Sequence, residues 1–206
     1  MSGRRRMSSV RWGWKTAAVP RRGFRDSARE LHAERLMMRA WQPADAGQVY
    51  DACQDAEIQR WTRVPSPYSM ADADAFVAVS PERWSAGLPT FRIFELDGRS
   101  LLGSIGFVRS SDPGVLELGY WIASPARRRG VATDATRLVC DWAFEHPEAH
   151  RIEWVAEVGN VGSHLVAERS GFQFEGVLRS RIEHRGAWVD VWVAGLIRPA
   201  QPAAQQ

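Results

Sequence analysis

The most constraining feature of the sequence is a strand–helix–strand succession between residues 115 and 158. VLELGYWI (115–122) has the length and apolar content of a strand, and RIEWVAEV (151–158) alternates as a half-buried strand does. Between them, four apolar residues share the spacing of one helix face: Val131, Ala135, Leu138 and Trp142. Two strands of one sheet joined through a helix run parallel. The sequence therefore predicts one parallel strand pair.

The remaining periodic segments predict antiparallel strands and further helices around that pair. Strands are predicted over 36–41, 90–96, 101–108, 172–184 and 187–197, and helices over 44–55, 70–87, 131–146 and 160–171. Asp97-Gly98 and Arg185-Gly186 mark tight turns between neighbouring strands, and Pro81 predicts a break or kink in its helix. The order predicts an α/β (α+β) chain with a central mixed, mostly antiparallel sheet and helices on both faces.

The composition predicts one globular domain with a tail at each end. The chain has 206 residues, enough for a substantial core, and no apolar run approaches the ~18 residues of a membrane span. Its net charge of +3 is concentrated in the arginine-rich residues 1–30, without which the remainder is acidic. We expect a disordered basic extension over 1–30, a domain over 31–199 and a disordered tail over 200–206. For residues 1–30, a start codon assigned too early and an arm that binds nucleic acid or the ribosome are the alternatives.

The cysteines and histidines predict no metal site. Cys53 and Cys140 are the only cysteines, neither has a metal-binding spacing, and the five histidines are scattered. Two isolated thiols are typical of the reducing cytoplasm, where we expect the protein. A single disulfide between the two cysteines is the alternative. Residues 1–30 contain no apolar core of a secretory signal.

The segment IASPARRRGVAT concentrates positive charge and small residues at the start of a predicted helix. A helix N-terminus exposes unpaired N–H groups and about half a positive charge, which together favour an anion. Gly130 and Ala132 permit close approach to the backbone, and Arg127, Arg128 and Arg129 add formal charge. We expect a phosphate group here. Neither a Gly-Lys-Ser/Thr loop nor a GxGxxG motif is present, which excludes those two nucleotide loops.

The spacing R-x-x-G-x-A (127–132) resembles the pyrophosphate loop of the GNAT acetyltransferase superfamily. The wider sequence resembles its RimJ/RimL branch, which acetylates N-termini of ribosomal proteins. The matching stretches are ERLMMRAWQPADA (34–46), ELGYWIASPARRRGVATDA (117–135), NVGSHLVAERSGF (160–172) and EGVLRSRIEHRGAWVD (175–190). The resemblance implies a GNAT fold, splayed between strands 115–122 and 151–158, with acetyl-CoA in the split. The cofactor contacts it implies are Trp121, Ile122, Arg127, Arg128, Arg129, Gly130, Val131, Ala132, Asn160 and Ser163.

The resemblance also implies catalytic roles. Many GNAT enzymes have a tyrosine four residues before the final Gly-Phe, where this chain has Ala167, so the proton donor to the leaving thiolate is expected to be Ser163. Glu117 and Glu183 are the candidate bases, and spacing from the serine favours Glu183. The backbone N–H near Ile122 is the expected donor to the reacting carbonyl oxygen. An ordinary helix or surface position is the alternative for the serine and for each carboxylate.

Two further questions stay open from the sequence. Asn160 is either a helix N-cap or a cofactor contact, or both. Cys140 and Phe144 lie opposite the apolar stripe of their helix, which indicates a second packing surface or a homodimer contact.

The expected function is acetyl transfer from acetyl-CoA to a primary amine, with a protein N-terminal amine favoured. An α-amine of pKa ~7.8 is about one-third free base near pH 7.5, whereas lysine is about one part in a thousand, so a site without a strong base suits the former. No motif in 56–90 identifies the acceptor. A small-molecule amine, a non-catalytic acyl-CoA-binding module and an RNA-associated protein acting through its basic tail are the alternatives.

Overall fold

The computed structural model describes residues 30–109 and 112–199, which form a single sheet of eight strands flanked by helices. The strands are β1 (Leu31–His32), β2 (Met37–Ala40), β3 (Thr90–Phe94), β4 (Leu101–Arg109), β5 (Val115–Ile122), β6 (Arg151–Glu157), β7 (Gln173–His184) and β8 (Ala187–Ile197). The helices are α1 (Ala46–Cys53), α2 (Ala56–Trp61), α3 (Met70–Ala78), α4 (Ser80–Ser85), α5 (Val131–Phe144) and α6 (Val161–Arg169). Apart from Glu30, the two predicted tails lie outside the described residues.

The sheet is mixed and mostly antiparallel, as predicted. Its strand order is β1-β2-β3-β4-β5-β6-β8-β7. The strands β5 and β6 are parallel, and every other neighbouring pair described is antiparallel. The helix α5 connects β5 to β6, and this crossover accounts for the parallel pair.

The helix predicted over 70–87 is two helices. The break lies at Val79, between α3 and α4, and Pro81 occupies the first turn of α4. Proline is tolerated there because its missing N–H has no intrahelical acceptor to lose. The predicted break is therefore confirmed.

Two short elements were not predicted from the sequence. The helix α2 begins after Asp55, whose side chain accepts a hydrogen bond from the N–H of Ile58 at 2.9 Å. The strand β1 has two residues and pairs with β2 through Leu31 opposite Met38. Neither is long enough to show a periodic pattern.

Hydrophobic cores cover both faces of the sheet. One core packs against α5 and α6 and includes Leu118 and Ile122 of β5, and the other packs against α1, α2 and α3 and includes Trp121. This division follows from the alternation of side chains along a strand. Cys140 is 2% exposed and belongs to the first core, against which Phe144 also packs, so the second apolar side of α5 is an intramolecular packing surface.

The described part of the chain contains no transmembrane helix. Within residues 30–109 and 112–199, no helix is both long and apolar enough to span a bilayer. Over the same ranges, no three His, Cys, Asp or Glu side chains group together as metal ligands do. Cys53 and Cys140 are buried and unbonded to each other.

Candidate active site

The parallel strands β5 and β6 separate halfway along their length. Their pairing runs from Val115 opposite Arg151 to Leu118 opposite Trp154 and ends there. Beyond that point β5 pairs only with β4, and β6 pairs only with β8. The gap opens into a cleft of about 2480 Å³. The expected splay is therefore present between these two strands.

The backbone N–H of Ile122 points into this gap. Ala123 donates to the carbonyl of Leu102 at 2.9 Å, and Ile122 pairs with Gly103, one position along. Because hydrogen-bonded and non-hydrogen-bonded pairs alternate in an antiparallel ladder, the N–H and C=O of Ile122 face away from β4. The carbonyl of Ile122 accepts from Nε of Arg127 at 3.2 Å, which agrees with that direction. An N–H group is thus presented where β6 has already diverged.

The start of α5 presents unpaired amides to the same cleft. Gly130, the N-cap, has φ 83°, and its carbonyl accepts the first intrahelical bond, from Asp134, at 3.0 Å. The amides of the first turn have no acceptor within the helix. The Asp134 carboxylate, which would repel an anion, pairs instead with Arg35 at 2.9 Å. Glycine suits the N-cap because left-handed backbone is strained for other residues.

The three arginines before Gly130 have different surroundings. Arg127 binds the carboxylate of Asp55 at the start of α2, and Arg129 pairs with Glu95 at 2.7 Å and lies outside the main cleft. Arg128 lines the cleft and forms no ion pair or hydrogen bond within the described residues. The predicted loop contacts Arg127, Arg128, Gly130, Val131 and Ala132 all line the cleft. A direct cofactor contact from Arg129 stays a prediction that the geometry does not favour.

Ser163, in the first turn of α6, contacts two aromatic residues from the separating strands. Its Oγ accepts from the indole N–H of Trp154 at 2.9 Å and lies 2.8 Å from the hydroxyl of Tyr120. Burial raises the pKa of Tyr120 to about 12, so its hydroxyl keeps its proton. Asn160 caps α6, with Oδ1 accepting from the Ser163 N–H at 3.2 Å, and it also lines the cleft. The N-cap interpretation of Asn160 is confirmed, and a cofactor contact stays open beside it.

Comparison with known proteins identifies the family. Residues 35–173 match the model of the Acetyltransferase (GNAT) domain. The chain belongs to the GNAT acetyltransferase family. A 112-residue stretch is 33% identical to "Probable N-acetyltransferase YjcK" of Bacillus subtilis, covering 53% of this chain and 61% of that one. That alignment spans less than two thirds of the relative's length.

Solved GNAT structures share the fold over most of the chain. RimL, the ribosomal L7/L12 alpha-N-protein acetyltransferase in complex with coenzyme A, superposes with a TM-score of 0.75 at 18% identity, covering 82% of this chain and 98% of RimL. The ribosomal-protein-S5-alanine acetyltransferase of Vibrio fischeri gives 0.72 at 18% identity, covering 82% and 97%. At such identities the likeness establishes the GNAT fold.

The two predicted base candidates of this GNAT domain lie in different places. Glu117 is half-buried and lines the cleft, and its position on β5 lies opposite that of Glu153 on β6. Glu183 is exposed on β7, where its neighbours Ile182 and His184 line the cleft and Glu183 does not. Adjacent residues of a strand face opposite sides. A catalytic role for Glu183 therefore stays a prediction without geometric support, and Glu117 is better placed.

Sequence reasoning missed a charged cluster whose Glu157 and His184 line the GNAT cleft. Glu157 accepts from His184 Nδ1 at 2.8 Å and from both terminal nitrogens of Arg60. The hydrogen bonds from Arg60 are the main cause that lowers the pKa of Glu157 to about 2. His184 Nε2 lies 3.1 Å from the carbonyl of Thr62. The cluster joins β6, the β7–β8 hairpin and the segment after α2, elements distant in sequence.

Proposed function

We propose that this GNAT protein transfers an acetyl group from acetyl-CoA to a primary amine, and that the amine is a protein N-terminus. The observation that carries the proposal is the gap beyond Leu118 and Trp154, which opens beside the unpaired amides of α5. A ligand with phosphates at one end and a narrow arm at the other suits this combination. The naming of RimL and its solved relatives as ribosomal-protein acetyltransferases supports the choice of acceptor.

The residues around the gap fit acetyl-CoA. The first-turn amides of α5 and the unpaired Arg128 would hold its phosphates, and Gly130 leaves the backbone open to them. Asn160, with its Oδ1 engaged in the cap, retains an amide group facing the cleft for the arm. When bound, acetyl-CoA supplies an activated acetyl thioester, whose thiol has a pKa near 8.5 and leaves with little assistance.

Two groups of the chain would assist the transfer. The inward N–H of Ile122 donates a hydrogen bond to the carbonyl oxygen of the acetyl group, where negative charge develops. Ser163 donates a proton toward the departing sulfur, and its orientation is fixed by Tyr120 and Trp154. Ala167 is 3% exposed, so no side chain at that position competes for the role.

The amine side of the cleft favours an acceptor that needs little help to deprotonate. Glu117 lines the cleft and is the carboxylate that we assign as base, directly or through water. At pH ~7.5 an N-terminal amine is about one-third free base, so a modest base suffices, whereas lysine needs a much stronger one.

The test is an acceptor screen read by mass spectrometry. N-terminal peptides, lysine-containing peptides with blocked N-termini and small amines are incubated with acetyl-CoA, and acetylated products are identified. We expect α-acetylated peptides. Acetylation of small amines alone would assign the chain to small-molecule acetylation, and coenzyme A binding with no product from any acceptor would indicate a non-catalytic acyl-CoA-binding module.

A further inference from the structure

Arg83 is a half-buried arginine in the wall of the cleft, and within the described residues its charge has no ion-pair partner. It lies on α4, and its Nη2 donates to the carbonyl oxygen of Phe107 at 2.7 Å. Its Nε is buried and makes no hydrogen bond within the described residues. Nor does any carboxylate of residues 30–109 and 112–199 form an ion pair with it.

This arrangement is energetically unfavourable unless a ligand completes it. Burying a charge without a counter-ion is costly. Burial lowers the pKa of Arg83, and no carboxylate opposes that effect. By contrast, Arg92, which is more buried, lies 3.5 Å from the carboxylate of Asp45, and Arg39 binds the same carboxylate at 2.8 Å. Arg39 and Arg92 thus each have a carboxylate beside them, whereas Arg83 lines the cleft and has none within the described residues.

The position of Arg83 sets a distance to the reacting groups. Phe107, which accepts its hydrogen bond, lies opposite Leu118 in the β4–β5 ladder. Ile122 is four residues further along β5, or about 13 Å at the rise of a strand. An anion bound to Arg83 therefore lies roughly 10–15 Å from the amine being acetylated. An extended peptide covers about 3.3–3.6 Å per residue, so that span corresponds to about three to five residues.

We propose that Arg83 binds a carboxylate of the acceptor, which makes the preferred acceptor a chain with an acidic side chain about three to five residues from its free amine. The inference rests on the proposed function and names the substrate class of the same site. A guanidinium is suited to the role because its planar N–H groups match the two oxygens of a carboxylate. The terminal N–H groups of Arg83 that are not engaged with Phe107 supply these donors.

The test measures binding, so that it does not depend on turnover. Peptides with one N-terminus and a single Glu or Gln at the second to sixth position are titrated calorimetrically into the protein bound to coenzyme A. We expect the Glu peptide to bind about tenfold more tightly than its Gln counterpart at one or two of these positions, as a charge-assisted hydrogen bond provides. Arg83→Gln is expected to abolish the preference. Arg179→Gln, a matched loss of charge on exposed β7 outside the cleft, is expected to retain it.

Several results would contradict the role of Arg83 in binding a carboxylate. Equal affinities of Glu and Gln peptides at every position, no measurable peptide binding, or a preference that persists in Arg83→Gln would overturn the assignment. If Arg83→Gln does not fold, Arg83→Lys replaces it, because lysine keeps the positive charge but lacks the planar pair of N–H donors. We expect Arg83→Lys to reduce the preference for the Glu peptide. An undiminished preference in Arg83→Lys would also overturn the assignment. Turnover of the same peptides separates the two proposals: acidic preference in binding without acetylation contradicts only the transferase activity, and acetylation without acidic preference contradicts only the role of Arg83.

Discussion

The hydroxyl oxygen of Tyr120 lies 2.8 Å from Oγ of Ser163, although the two residues are 43 positions apart. An indole N–H can only donate, so Trp154 occupies one lone pair of the same Oγ. If the Tyr120 O–H donates to the second lone pair, the serine proton is directed away from both aromatic residues. All three residues line the cleft.

Removal of this proton donor is expected to lower turnover without changing acetyl-CoA binding. Ser163→Ala should reduce kcat at the low end of the ~10²–10⁴ range for acid–base groups, because a thiol is already a fair leaving group. Tyr120→Phe should have a smaller effect on kcat, since the serine is misoriented and not lost. The KM for acetyl-CoA should stay constant in both, as expected for an interaction made in the transition state. Tyr50→Phe, on α1 and outside the cleft, is the control and should keep the wild-type kcat. If Ser163→Ala also keeps the full kcat, the role of the serine is structural.

Gly130→Val is expected to weaken coenzyme A binding by at least about tenfold. A branched side chain at the N-cap of α5 obstructs approach to the first-turn amides and strains a backbone with φ 83° by about 1–2 kcal/mol. Gly98→Val separates the two effects, because Gly98 has φ 73° with no atom near its absent Cβ and lies in a distant turn. Calorimetry should show weakened binding only in the first variant. Unchanged affinity in Gly130→Val would contradict the phosphate-loop assignment.

The two candidate bases are expected to differ in a pH–rate profile on an N-terminal peptide. Glu117→Gln should lower kcat/KM most at low pH, and the deficit should shrink as the amine deprotonates unaided near its pKa of ~7.8. Glu183→Gln should follow the wild-type profile, because its side chain is exposed away from the cleft. The reverse pattern would restore Glu183 as the base, and no effect of either would leave water as the proton acceptor.

Acid is expected to destabilise the protein partly through Glu157. Hydrogen bonds from Arg60 hold the folded-state pKa of Glu157 near 2, below the ordinary value of 4.5, so its stabilising contribution is complete above about pH 4.5 and is lost as pH falls toward 2. Glu157→Gln should lower the Tm by several degrees at pH 7, where 1 kcal/mol corresponds to about 2–4 °C.

The difference between Glu157→Gln and wild type should narrow between about pH 4.5 and pH 2. Thermal melts followed by circular dichroism across this range provide the measurement. Glu183→Gln, which removes an exposed carboxylate on the same hairpin, should match wild type throughout. A difference between Glu157→Gln and wild type that does not vary with pH would show that the ion pair with Arg60 contributes nothing measurable.

Most of the fold could be predicted because each long element carries its own signal. Alternation identified the strands, apolar spacing identified α5, and the crossover between residues 115 and 158 required the one parallel pair. The helix α2 was missed because its six residues are stabilised by a single cap from Asp55 and by packing of Ile58 in the core. Tertiary contacts of that kind leave no periodic pattern in the sequence.

The candidate site was predicted less completely, for a related reason. Gly130 and its flanking residues are contiguous, so the loop could be predicted from the sequence alone. The contacts of Ser163 with Tyr120 and Trp154 join three separate elements and depend on where the strands diverge. Arg127 and Arg129 have carboxylate partners and Arg128 has none within the described residues, and this difference likewise depends on the fold.

The ion pair between Arg127 and Asp55 ties the two halves of the cleft together. Arg127 belongs to the turn that precedes α5 and also donates to the carbonyl of Ile122. Asp55 caps α2, whose Trp61 also lines the cleft. A ligand that shifts or rigidifies the turn would therefore also act on α2. Thermodynamic reciprocity requires any such coupling to be mutual.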